Sequence, residues 1–207
     1  MKKSFILVIA LVLAIGLGIG ATLAYLFTST NAIENTFTYG DINIDLWEHK
    51  INADGVSLGS EIVKTNQDGF KMIPGNDIAK DPTVTVKGGS EACWLFVKVE
   101  KKGNFDNYMT CDIADQWIPL VDSNSDGVAD NGVYYREIDA VTTDTNYPIL
   151  ANKTGYENGF VSVRSDVTKQ MLSGMGDNRP SLTFTAYAVQ KANVASASAA
   201  WEIIPNK

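Results

Sequence analysis

Ala92-Cys93-Trp94-Leu95-Phe96-Val97-Lys98-Val99-Glu100 is an aromatic and β-branched run inside a chain of short, turn-broken segments. Residues of these types fit a pleated surface, and their density marks this stretch as the most deeply buried strand of the chain. On its N-terminal side, Pro82 to Val86 alternates apolar and polar residues after a turn at Pro74-Gly75-Asn76. Farther upstream, Asp41-Ile42-Asn43-Ile44-Asp45-Leu46 alternates strictly, which puts Ile42, Ile44 and Leu46 on one buried face of a half-exposed strand. On the C-terminal side, the polar loop Lys101 to Asn107 is expected to return Tyr108 to Ile113 antiparallel to the run. Gly132 to Ile138 is expected to pair with Gln116 to Val121. Ser181 to Gln190 is the last strong strand, with Leu182, Phe184, Ala186 and Ala188 on one face.

Two pieces read as helical: Ser165 to Ser173, where Asp166 would favour the first turn, and the alanine-rich Lys191 to Trp201. Both are expected at the ends or along one edge. Asn52 to Asp68, polar and punctuated by glycine, reads as a surface loop. Eight or so strands with this turn spacing and so little helix predict an all-β fold, a jelly-roll-like antiparallel β-sandwich with short helices at the edges.

The sequence opens with Lys2 and Lys3 before an apolar run from Phe5 to Ala21, closing on small residues between Gly16 and Ala24. That is the layout of a secretory signal helix. Thr22 and Ala24 place small side chains three and one positions before a cut that would leave Tyr25 first. Extended to Phe27, the run is also just long enough to span roughly 30 Å of hydrocarbon, so a retained anchor stays open. The glycines favour cleavage, because each weakens a permanent helix by up to about 1 kcal/mol against alanine. The expected organisation is therefore 1–24 as signal peptide or anchor, 25–34 as a free N-terminal segment, and 35–207 as one β-sandwich domain. About 180 residues would remain after cleavage, enough for one domain with its own core.

The formal net charge of −7 in 207 residues becomes more negative once Lys2 and Lys3 are removed. Such a surface does not attract nucleic acid and is repelled by anionic membranes, while it keeps an exported protein soluble. Any membrane contact is expected only through the N-terminal segment before cleavage. Cys93 and Cys111 would leave the reducing cytosol with the chain, so a disulfide between them is permitted. Two buried thiols on neighbouring strands explain the same residues.

Certain segments carry a resemblance to a family. Ala21-Thr22-Leu23-Ala24-Tyr25 followed by Asn35-Thr36-Phe37-Thr38-Tyr39-Gly40 resembles the export signal and first strand of proteins cut by the SipW type of signal peptidase. Pro74-Gly75-Asn76 leading into Lys80-Asp81-Pro82-Thr83-Val84-Thr85-Val86 resembles the stretch before the second main strand of the TasA/camelysin family. Thr183-Phe184-Thr185-Ala186-Tyr187-Ala188-Val189-Gln190, with Trp201 beyond it, resembles the closing strand of its clostridial-type members. The resemblance touches the beginning, middle and end of the chain. It implies a jelly roll, secretion to the extracellular matrix or cell surface, and fibres built by self-association. The physical reading of these residues is scaffold chemistry: glycine at turns, and Pro82 at a strand entry where its missing N–H removes no ladder bond.

Camelysin-like proteins are described as metallo-endopeptidases, so the resemblance raises a zinc site. The chain has one histidine, His49, and no H-E-x-x-H, whereas catalytic zinc is held by two or three imidazoles beside a carboxylate. His49 in Trp47-Glu48-His49-Lys50 reads as an exposed strand or loop residue, and the chain is not expected to be an enzyme. The segment with ligand chemistry is Asp122-Ser123-Asn124-Ser125-Asp126-Gly127-Val128-Ala129-Asp130. Asp122, Asn124, Asp126 and Asp130 recur at positions one, three, five and nine around a glycine at six, which is the first half of a calcium loop. Position twelve is Val133, where a bidentate acid is expected, and the same residues make a polar turn.

The expectation from sequence is a secreted structural subunit. Cleavage would free Tyr25-Leu26-Phe27-Thr28-Ser29-Thr30, an apolar, β-prone segment able to dock on a sheet edge of the next subunit, with Tyr25, Leu26 and Phe27 leading the assembly strand. Head-to-tail contacts of that kind give filaments when they do not close. The alternative is a membrane-anchored surface module that binds calcium or polysaccharide.

Overall fold

A computed structural model of the chain describes residues 41–64, 71–153, 156 and 158–207. In chain order their strands are β1 (Ile44–Ile51), β2 (Leu58–Val63), β3 (Asp77–Lys80), β4 (Thr83–Val86), β5 (Cys93–Lys102), β6 (Met109–Cys111), β7 (Ile118–Pro119), β8 (Val133–Ile138), β9 (Thr145–Pro148), β10 (Gly159–Val163) and β11 (Ser181–Gln190). The short helices are α1 (Phe105–Tyr108), α2 (Lys169–Gly174) and α3 (Ala197–Ile203). The strands form sheets ordered β2-β1-β4-β9, β3-β10-β6 and β11-β5-β8-β7, with every pairing antiparallel. The fold is an all-β sandwich, as its alternating segments predict.

The main core lies between the first and last of these sheets. Val84 and Val86 of β4 meet Cys93, Leu95 and Val97 of β5, with Ile42, Ile44 and Leu46 packed against them. A second cluster lies under β3-β10-β6, where Ile78, Met109, Val161 and Val163 gather with Phe105 and Leu150. A third cluster occupies the opposite face of β5: Trp94 and Phe96 pack against Ala197, Ala200 and Trp201 of α3. Both faces of β5 are therefore covered, which is why its sequence is continuously apolar where its neighbours alternate. Leu95 and Phe96 point to opposite sides and are both fully buried. Each contributes about 1.5–3 kcal/mol by leaving water.

Four local expectations need correction. Tyr108 to Ile113 does not return along β5; β6 pairs with β10, Val161 opposite Cys111. Both edges of β5 are already occupied, by β11 and β8, and Gly103 (φ 65°) and Asn104 (φ 53°) turn the chain away. A side chain at Gly103 would meet the Arg179 carbonyl oxygen at 2.2 Å. Asn52 to Asp68 is not a loop throughout, because β2 pairs with β1; residues 65–68 of that stretch lie outside the described residues.

The helix expected from Ser165 begins instead at Lys169, capped by the Thr168 hydroxyl, which accepts from the Met171 N–H at 3.2 Å. Asp166 pairs with Arg164 at 2.8–3.0 Å. The alanine-rich helix begins at Ala197, capped by Ser196, and it covers a sheet face where an edge position was expected. The faces and bounds of β11 and the pairing of β7 with β8 are as read from the sequence.

Candidate functional site

Residues 122–130 connect β7 to β8 at the end of the sandwich where β5 finishes. The Asp122 carboxylate accepts from the N–H groups of Asp126 (3.1 Å) and Gly127 (3.0 Å). Asp126 Oδ1 accepts from the Val128 N–H at 2.8 Å, and Asn124 donates to Asp126 Oδ2 at 2.9 Å. Asp130 Oδ2 accepts from the Ser123 N–H at 2.9 Å. Hydrogen bonds from Ser123 hold the Asp130 carboxyl below the usual carboxylate range. Ser125 (φ 58°) and Gly127 (φ 80°) complete the turn in the left-handed region. The four candidate calcium ligands, Asp122, Asn124, Asp126 and Asp130, thus lie in one loop, and each accepts a bond from the loop's own backbone. Among the described residues, no three His, Cys, Asp or Glu side chains are grouped to hold a metal ion.

His49 is on the outer face of β1. Its ring Nδ1 lies 2.6 Å from Asp81 Oδ2, its backbone N–H donates to Asp81 Oδ1 at 2.9 Å, and its ring meets Trp47 edge-on. This is a half-buried side chain with a fixed carboxylate partner, more ordered than the exposed position expected.

Cys93 and Cys111 are both free thiols. Cys93 sits in the core between the sheets and Cys111 packs against the second cluster. Burial pushes the Cys93 thiol up to about 11 and raises that of Cys111 as well, which makes both poor nucleophiles at neutral pH.

The feature suited to assembly is β11. Its ten residues pair with β5 from Ser181↔Lys102 to Gln190↔Cys93. It ends its sheet, and its other edge has no strand partner among the described residues. Long unpaired edges present rows of N–H and C=O groups that template a further strand. Neither a Pro nor a charged residue interrupts β11. Its sequence marks it as a strand, but not as an edge, because edge position is set by what the rest of the chain leaves unpaired.

Ala24, Tyr25, Leu26 and Phe27, the residues of the expected cut and assembly strand, lie outside the described residues. Among those described, no helix is long and apolar enough to cross a membrane. No family model, curated protein or solved structure matches the chain. The resemblance to the TasA/camelysin family therefore rests on the sequence motifs alone.

Proposed function

We propose that the chain is a secreted structural subunit of biofilm-matrix or cell-surface fibres, akin to the TasA/camelysin family it resembles. In this reading a SipW-type signal peptidase removes residues 1–24. The freed Tyr25-Leu26-Phe27-Thr28-Ser29-Thr30 then pairs with the open edge of the next subunit. Membrane contact ends with cleavage, and no catalytic step is involved.

The observation that carries the proposal is the uninterrupted ten-residue edge of β11. A strand added there would gain ladder hydrogen bonds from the backbone, and its alternate side chains would meet the partly buried row of Leu182, Phe184, Ala186 and Ala188. Because donor and acceptor are different surfaces of one chain, the contact is head-to-tail and propagates.

Deletion of residues 25–30 tests this directly. The deleted protein is expected to stay folded and to sediment as a monomer, while the parent, recovered from culture supernatant with Tyr25 first, sediments as large assemblies. Fibres formed by the deleted protein, or an uncleaved monomer confined to membranes, would overturn the proposal.

A further inference from the structure

The two outer faces of the sandwich are unlike. One is covered by α3. The other, on β1, β4 and β9, carries two side-chain rows fixed by strand register. Asp45, Thr85 and Asn146 stand opposite one another across the three strands, and Trp47, Thr83 and Pro148 form the next row. Rows two residues apart are separated by about 7 Å, and each spans two inter-strand gaps, about 10 Å.

Trp47 is held across this face. Its indole N–H donates to the Thr85 hydroxyl at 2.8 Å, a diagonal reach that lays the ring over β4. Thr83 and Thr85 are thereby only 5% and 4% exposed although no element covers them among the described residues. Thr85 passes its own hydrogen to Asn146 Oδ1 at 2.7 Å, which turns the Asn146 amide N–H groups outward with no partner among the described residues. The edge-on contact with His49, itself tied to Asp81, fixes the far side of the indole. On this face the Asp45 carboxylate is paired with Lys64, and the His49 ring lies against Asp81.

A pyranose ring has C–H groups on its flat faces and hydroxyls around its rim. A rigid, partly exposed indole beside the Asn146 amide donor and the Asp45 carboxylate, whose charge is paired with Lys64, complements such a ring and favours an uncharged one. We propose that this face binds a neutral polysaccharide, with Trp47 stacking on a sugar ring and Asp45 and Asn146 holding its hydroxyls. The site is built from side chains of β1, β4 and β9 and uses no residue of β11, so it does not depend on fibre formation.

Affinity electrophoresis of the full-length protein in gels containing hydroxyethylcellulose, soluble starch or alginate tests it. At least one of the two neutral polymers is expected to retard the protein, and alginate much less. Trp47→Ala is expected to weaken retardation at least tenfold, Asn146→Ala several-fold, and Trp47→Phe least. If Trp47→Ala does not fold, as judged by circular dichroism, the exposed Asn146→Ala and the conservative Trp47→Phe carry the comparison. Retardation by neither neutral polymer, equal retardation by alginate, or unchanged binding in Trp47→Ala or Asn146→Ala would overturn the proposal. A self-association that Trp47→Ala abolishes would reassign the face to contact between copies of the chain.

Discussion

Cys93 shows how far position outweighs chemistry at a single residue. It is fully buried between the sheets, opposite Ile138 on one side and Gln190 on the other. Alkylation of the native protein by iodoacetamide at pH 8 is expected to leave Cys93 unmodified until denaturant is added, as read by peptide mass; rapid native labelling would contradict this burial. Cys93→Ser, which puts an unpartnered hydroxyl there, should cost about 1–3 kcal/mol in urea denaturation. Because the folded thiol titrates above its unfolded value, its contribution is present below about pH 9 and is lost as pH rises through about 11. Asp77 shows the opposite sign. Its carboxylate is held by Lys153 and by the Ser162 hydroxyl at 2.5 Å, and these bonds lower its pKa below the ordinary 3.8. The contribution is present above that ordinary value and is lost as pH falls through the lower folded one. Asp77→Asn should therefore lose less stability than the parent between pH 5 and pH 3, and an equal loss would show that Asp77 does not report on this pairing.

Among the short helices, α3 is the one whose removal should be felt most, because it buries Ala197, Ala200 and Trp201. Trp201 packs on Phe96 with ring centres 5.3 Å apart and edge-on to Tyr187 at 5.5 Å. Trp201→Ala should cost about 3–5 kcal/mol, read from the denaturation midpoint. A cost below about 1 kcal/mol would mean that α3 is not docked on the sheet in solution. Elements with one wet and one dry face were legible in the sequence, because burial imposes a period of two: β11 can be read to its bounds, and Ile42, Ile44 and Leu46 to their side. The run at β5 was legible from composition alone. β2 was not, because Leu58-Gly59-Ser60-Glu61-Ile62-Val63 is an edge strand with little burial on either face, so no period is imposed on it. The pairing of β6 was misread for a different reason. Nearness in sequence favours a hairpin with β5, but both edges of β5 are filled by strands whose positions no local signal reports.

At the scale of the whole molecule, the same limit governs the candidate sites. The acidic turn was legible because all its parts lie within nine residues, and Asp, Asn, Ser and Gly announce a turn. Nothing in the sequence joins Trp47 to Thr85 or Thr85 to Asn146, which are 38 and 61 residues apart; the registers of β1 on β4 and of β4 on β9 must both be known before those side chains share a face. The edge of β11 that has no strand partner among the described residues is likewise a property of the sheet order, not of any local segment. That order also has a consequence in time. As the chain emerges from its N-terminus onward, β5 precedes by some 80 residues the segment that completes it, since β11 lies along its flank and α3 over its outer surface. Until α3 has appeared, Trp94 and Phe96 lack the cover that seals the outer face of β5. β11 and α3 thus act as a latch, and the outer side of β5 stays open for as long as they are still to come.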